Sequence, residues 1–544
     1  MNTLKDKINF SNTQLALVLL CLIGISIIFR IVVFPIDLPL PQDAEVYFWY
    51  ANDMSITNNF PDWEDAYFPN TFWPTFLSIF FTSASSDNFV DYMTIQRSIT
   101  IGLSVITGIS VFFLSRNFVK QEYAIIASAL FLFEPRIIEN SLSGLTEPLF
   151  LLLIVCSIVL FLSKKISLIY VSFATLALAT LTRYEAALLV IPFILLFILK
   201  NRDSRKIFQL IICLLVFVII VIPIDNLRSG STEENAPGIF DHVYHVLLVY
   251  ESRFENECII NEEGEDCVRT YKSEGRESSI EDYTILQTVT TSLVNLITYF
   301  GWMTFPLFFI FLPIGLYKIF RNRNFEKWTI ILCMIFMLLP AFYAFSRDFQ
   351  ELRYLYIQIP LLCIIASISI EFFSVKIKKP KYVIIVFLTG IIFVSGIFYY
   401  DQSLVDYQLE REYFEISKKI NAMMNVSNEI FPADNYIRSA KIAELEEFPV
   451  LRNSFDLFSL KMIPNFEYDS LQELIQYGKE NDLKHLVIDE DGDGMTYLYD
   501  VFHNEKEYPF LEKIFDSKSE GFQYHVKFFK IDHDAFNKYY GYRP

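Results

Sequence analysis

Apolar runs of about 20 residues recur along this chain, and they leave it few folds. A hydrocarbon layer of about 30 Å is crossed by roughly 20 apolar residues in a helix. Inside that layer only helices and closed barrels satisfy their own backbone groups. Such runs extend from residue 14 to residue 400 of the 544. They predict about eleven spans, at 14–34, 92–115, 122–138, 146–163, 167–183, 184–199, 205–224, 298–319, 327–345, 353–373 and 381–400. With 53% hydrophobic, 17% aromatic and only 20% charged residues, a soluble enzyme of this length would be unusual. The expected fold class is a polytopic α-helical membrane protein. The first run is read as a span and not as a cleaved signal peptide, because its apolar core is long and no small-residue cleavage site follows it.

Basic residues set the expected orientation. Lys5 and Lys7, Arg116 and Lys120, Lys164 and Lys165, and Lys200, Arg202, Arg205 and Lys206 fall in alternate connections. So do Lys318, Arg321, Arg323 and Lys327, and then Lys376, Lys378, Lys379 and Lys381. That side is expected to be cytoplasmic, with the N-terminus on it. Segment 35–91 lies on the other side and has no Lys or Arg. The net charge of −18 comes largely from the outer segments, which argues against nucleic acid as a partner.

Two domains are expected. Residues 1–403 form the transmembrane part, with outer loops 35–91 and 226–297. Residues 404–544 form a small extracytoplasmic α/β domain, expected to be Rossmann-like, in which VSNEIFPA, PVLRNSF, HLVIDE and YHVKFFKI read as strands, the last at a late edge. Segment 404–424 reads as an amphipathic helix leading out of the membrane.

Charged residues collect at the outer ends of the spans. The first loop opens PLPQDAEVYFWYANDMS, with Asp43, Glu45 and Asp53 among aromatics. EPRIIENSLSGLTEPLF carries Glu134, Arg136, Glu139 and Glu147, TLTRYEAALL carries Arg183 and Glu185, and SRDFQELRYLYIQIP carries Arg347, Asp348, Glu351 and Arg353. Ionisable groups at this depth pair with one another or face a wet cavity. One reading is a set of Arg–Glu locks in the bundle, with Asp43 capping an interfacial helix. The sharper one is a polar cavity at the outer leaflet. There arginines hold the phosphate of a lipid-linked sugar, and a carboxylate takes the proton of an acceptor hydroxyl as it attacks the anomeric carbon.

In this layout the chain resembles the GT-C integral-membrane glycosyltransferases, among them the polyprenyl-phosphate-sugar enzymes related to protein O-mannosyltransferases and aminoarabinose transferases. QDAEVYFW after the first span, NSLSGLTEPLF, LTRYEA, ELRYLYIQIP and an outer C-terminal domain carry the resemblance, in that order. It implies a GT-C-like fold, Asp43 as catalytic base, and Arg183 and Arg353 near the donor phosphate. Glu45, Arg136, Glu139 and Glu147 are the further substrate-binding candidates, and Glu139 or Glu147 completes a site if a divalent metal takes part. The donor expected is a polyprenyl-phosphate sugar in the membrane lipid, and the acceptor is a protein, lipid or glycan hydroxyl. Two features depart from the family. Ala44 separates Asp43 from Glu45, which places the two about 200° apart on a helix, and the WWDYG-type motif of oligosaccharyltransferases is absent. Transfer of one sugar is therefore favoured over transfer of a whole oligosaccharide.

Other candidates lie in the outer segments. Cys258 and Cys267 share one outer loop, where oxidising conditions allow a disulfide. His242 and His245 stand three apart, a spacing seen in metal ligands and in plain interfacial helices. Asp489, Asp491, Asp493, Gly494 and Asp500 match positions 1, 3, 5, 6 and 12 of a calcium loop, and an acidic turn after a strand is the plainer reading. Asn425 begins an Asn-Val-Ser sequon. Against the enzyme stand two other classes, a transporter or flippase for a lipid-linked or anionic substrate and a non-catalytic scaffold. The enzyme reading expects Asp43 and Arg353 to converge on one cavity open to lipid, and the scaffold reading expects Asp43 to tolerate replacement.

Overall fold

In the computed structural model the described residues are 11–33, 38–40, 42–61, 70–85, 89–200, 205–229, 259–261, 264–266, 285–321, 324–346, 351–374, 380–423, 470–480, 484–490 and 495–542. The helices in chain order are α1 (Asn12–Val33), α2 (Gln42–Thr57), α3 (Phe72–Ser83), α4 (Phe89–Ser115), α5 (Gln121–Leu132), α6 (Pro135–Leu142), α7 (Glu147–Phe161), α8 (Ile166–Thr182), α9 (Val190–Lys200) and α10 (Lys206–Ser229). Then come α11 (Ile285–Thr304), α12 (Leu312–Arg321), α13 (Phe325–Phe345), α14 (Ile359–Ser374), α15 (Pro380–Met423), α16 (Leu471–Glu480), α17 (Thr496–His503) and α18 (His533–Tyr540). Among the described residues five helical segments are long and apolar enough to cross a membrane: 12–32, 90–115, 206–227, 325–345 and 352–374. Four shorter apolar helices accompany them, at 121–132, 147–161, 166–182 and 382–398.

The chain divides into two compact units, residues 1–30, 59–76 and 99–396 in one, and 31–58, 77–98 and 397–544 in the other. In the first, α8 packs between α7 and α10, and α14 packs between α5 and α12. The α12–α14 contact is close enough to require a glycine. A Cβ on Gly315 would stand 2.3 Å from the Ile365 carbonyl oxygen and 2.5 Å from Ile365 Cγ2. Small residues at such crossings let apolar helices approach where no water drives them together. Beside it, Ser369 Oγ donates to the Phe311 carbonyl at 2.6 Å.

Proline breaks two of the expected spans. The run 122–138 ends its first helix at Leu132, and Pro135 opens α6 with Glu134 as N-cap. The run 298–319 is not one helix: α11 ends at Thr304, Pro306 follows, and α12 starts at Leu312. Runs 184–199 and 353–373 each begin with a 3₁₀ segment, Tyr184–Leu189 and Leu352–Gln358.

In the second unit, α2 is held by aromatic edges. Phe48 meets Trp49 and Phe81 at ring-centroid distances of 5.0 and 5.5 Å, and Phe81 meets Tyr92 at 5.4 Å. Farther along in this unit come the strands β3 (His485–Asp489), β4 (Leu511–Asp516) and β5 (Val526–Ile531), whereas β1 (Ile259–Asn261) and β2 (Gly264–Asp266) are an antiparallel pair in the first unit. β5 lies between β3 and β4 and is antiparallel to both. YHVKFFKI is thus the central strand and not an edge. Both of its faces are covered, which is why it reads as a nearly continuous apolar run. Val526 and Phe528 pack with Ile416 and Ile420 at the end of α15. Phe529 and Ile531 pack with residues of α16, α17 and α18, among them Leu474, Val501 and Phe536. The described sheet is antiparallel throughout, so the parallel order of a Rossmann-like domain is absent from it. VSNEIFPA and PVLRNSF lie outside the described residues.

Candidate active site

A small recess in the first unit gathers three of the sequence's charged motifs. Glu147 opens α7 and is buried. Arg183 ends α8 and precedes the 3₁₀ segment that carries Glu185. Arg353 lies on the second 3₁₀ segment. Together with Phe150, Leu151, Met337, Pro340, Tyr354, Tyr356 and Ile357, these residues line a space of ≈ 20 Å³, on the order of one ordered water. The 3₁₀ turns matter because each begins at the charged end of a span and turns the side chains of Arg183 and Arg353 toward one recess.

The two arginines are held differently. Arg183 Nη1 donates to Glu147 Oε1 at 2.5 Å and Nη2 to Glu185 Oε1 at 2.9 Å. The Glu147 side chain is 4% exposed, and its other oxygen accepts from Asn140 Nδ2 at 3.5 Å. The Arg183 guanidinium also lies 5.8 Å from the Phe150 ring centroid and 6.0 Å from that of Tyr354. Arg353 pairs through Nε with Glu351, whose side chain is 51% exposed. A buried ion pair is costly to break by removing one partner, whereas an exposed one contributes little. Arg183 is therefore locked, whereas the Glu351 partner of Arg353 is open to solvent.

Arg136 is committed elsewhere. Its Nη1 donates to Glu134 Oε1 at 2.6 Å, and its Nη2 to the Trp302 and Phe305 carbonyls at 2.9 and 3.2 Å. It thereby bonds to carbonyls where α11 ends. Glu139 is exposed on α6. Asp43 lies in the first turn of α2, and its side chain falls outside the described residues. Glu45 accepts from Trp49 Nε1 one turn later, at 3.1 Å. Arg347 and Asp348, His242 and His245, Cys258 and Cys267, and Asn425 lie outside the described residues, as do Asp491 and Asp493.

Two arginines inside expected spans went unweighed in the sequence, although a lone cation in an apolar run is itself a signal. Arg97 is buried in α4 and donates to the carbonyls of Leu38 and Pro39 at 3.1 and 3.3 Å. Its neighbour Gln96 donates to the Ala44 carbonyl at 3.1 Å. Together they fix the backbone on both sides of Asp43. Arg30, fully buried in α1, donates to Ser141 Oγ at 2.9 Å, Ser104 Oγ at 3.1 Å and the Leu132 carbonyl at 3.1 Å.

No group of three acidic, histidine or cysteine side chains among the described residues stands close enough to hold a metal ion. Glu147 and Glu185 are both spent on Arg183. Of the proposed calcium ligands, Asp489 accepts from Tyr524 Oη at 2.9 Å, and Asp500 lies within α17 and accepts from Asn504 Nδ2 at 2.6 Å and from Tyr508.

Residues 79–225 match a family model described as dolichyl-phosphate-mannose-protein mannosyltransferase. No curated protein matches the chain. Among solved structures, the apo oligosaccharyltransferase of Archaeoglobus fulgidus aligns over 90% of this chain and 71% of its own, with a TM-score of 0.54 and 11% identity. ArnT from Cupriavidus metallidurans, bound to undecaprenyl phosphate, aligns over 94% of this chain and 97% of its own, with a TM-score of 0.55 and 10% identity. The archaeal AglB in complex with an inhibitory peptide and a dolichol-phosphate aligns over 94% of this chain and 74% of its own, with a TM-score of 0.50 and 11% identity. The chain thus shares the GT-C fold of these structures, and its residues 79–225 match the mannosyltransferase family model.

Proposed function

We propose that the chain moves a single sugar from a polyprenyl-phosphate-linked donor to an acceptor hydroxyl at the extracytoplasmic face of the membrane. Arg353 receives the donor phosphate. The anomeric carbon–oxygen bond to phosphate breaks as the bond to the acceptor oxygen forms, and Asp43 takes the acceptor's proton. The phosphate leaves with the bonding electron pair, and its added charge is met by the guanidinium. A single displacement inverts the anomeric centre. Arg183 does not touch the phosphate in this scheme. Locked by Glu147 and Glu185, it is a positioning residue that shapes the recess beside Arg353.

The observation that carries this reading is the contrast between the two arginines lining one recess, only one of which has a partner that solvent can replace. The neighbours' names support the donor class: one was solved with undecaprenyl phosphate and another with dolichol-phosphate. Titration of the purified chain with a polyprenyl phosphate tests it. Arg353→Gln is expected to weaken binding by about ten-fold, the loss of one charge-assisted contact. Glu351→Gln, which removes the competing carboxylate, is expected to strengthen it. Equal affinity in all three proteins would remove Arg353 from the phosphate.

A further inference from the structure

A second site lies at the other end of α7. Glu147 opens that helix and Leu162 caps it, so at 1.5 Å per residue the two ends stand about 22 Å apart. At the far end Phe113, Arg116, Asn117, Val159, Leu162 and Ser163 line an open groove of ≈ 350 Å³. One wall is apolar and accessible, with Phe113 48% exposed. The other presents Arg116, whose guanidinium carbon stands 5.8 and 6.0 Å from the ring centroids of Phe112 and Phe113. Among the described residues no carboxylate stands within ion-pair distance of Arg116. Lys164 and Lys165, both exposed, follow Ser163 directly. Lys120, beside Glu371, belongs to a different cluster.

Cations often stand at helix C-termini merely to complement the dipole. Here that role is filled by other groups. Lys200 Nζ donates to the carbonyls of Phe161 and Ser163 at 2.8 and 2.6 Å, capping α7. Asn117 Nδ2 donates to the Leu114 carbonyl at 3.0 Å, at the end of α4. Arg116, Lys164 and Lys165 are positive charge beyond what the two helix ends use. A planar guanidinium beside an apolar wall, at the end of the membrane-length helix α4, matches a phosphodiester with an acyl chain attached.

We propose that this groove binds the headgroup of an anionic membrane phospholipid, with Arg116 on the phosphate, Lys164 and Lys165 supplying the surrounding field, and an acyl chain along Phe113 and Val159. The inference does not depend on the sugar-transfer reading. It is tested by native mass spectrometry of the full chain in detergent, supplied with equal amounts of phosphatidylglycerol and phosphatidylcholine. Wild type is expected to retain phosphatidylglycerol preferentially. Arg116→Gln should lower that retention by about five-fold, the effect of one basic group beside the headgroup, and Arg116→Lys should keep most of it. Arg321→Gln, which removes an exposed charge elsewhere, should leave it unchanged, and millimolar inorganic phosphate should not displace the lipid. Undiminished retention in Arg116→Gln, an equal loss in Arg321→Gln, or displacement by inorganic phosphate would each overturn the site.

Discussion

At the scale of single residues, the account turns on which charges are free to change partners. Arg183 has two carboxylates and two aromatic rings around it. Removing Glu147 strands much of that charge in a nearly closed site, so Glu147→Gln is expected to destabilise the chain by about 3 kcal/mol. Replacing both members, Glu147→Gln with Arg183→Met, should recover at least half of the loss. Thermal unfolding of the detergent-solubilised proteins checks this, and strictly additive losses would show that the pair is not coupled. Charged residues at span ends were legible in the sequence because apolar runs make them conspicuous. What the sequence withheld was partnership. Nothing in EPRIIEN says that Arg136 reaches the carbonyls of Trp302 and Phe305 more than 160 residues away. Arg30 and Arg97 were visible as lone cations, but acceptors such as Ser104 for Arg30 and the Leu38 carbonyl for Arg97 come from other segments of the chain.

At the scale of elements, hydropathy located the apolar segments, and two of them break at proline. Pro135 and Pro306 both stood in plain view, yet hydropathy averages over them and the backbone cannot. The outer domain shows the complementary failure. VKFFKI reads as a strand in any register, but its central place lies in its pairing with β3 on one side and β4 on the other, and Ile416 and Ile420 of α15 cover one face. The same sheet carries a charge cluster with a definite pH dependence. Burial opposes it, but hydrogen bonds from Lys513 and the nearby charge of His525 hold the Asp516 carboxyl below its ordinary range. Hydrogen bonds from Tyr508 and Asn504 do the same for Asp500. A depressed native pKa means that the folded form binds the proton less readily than the unfolded form. The stability these groups add is therefore present above about pH 4 and is lost as the pH falls through the native values. Resistance of the 511–531 strands to pepsin, followed in the full chain from about pH 5 to about pH 2, should fall on the acid side of about pH 4. Asp516→Asn should start less resistant and lose less on acidification, whereas a slope equal to that of wild type would contradict the assignment.

At the scale of the whole molecule, composition and the recurring runs were enough to name a membrane-embedded helical chain, and the ordered motifs were enough to suggest the GT-C fold. The site was legible only in part. Its arginines and glutamates could be marked in the sequence, but which of them line one recess depends on the 3₁₀ turns at Tyr184–Leu189 and Leu352–Gln358, which no periodicity reveals. The central claim is that Asp43, whose flanking backbone is held by Arg97 and Gln96, is the base of a sugar transfer. The direct measurement is turnover of radiolabelled polyprenyl-phosphate sugars by membranes containing wild type, Asp43→Asn or no protein, at matched expression. The account predicts product with wild type and a loss of at least about 100-fold in Asp43→Asn, the scale of a general base. Turnover unchanged by the substitution would contradict it and return Asp43 to capping a helix.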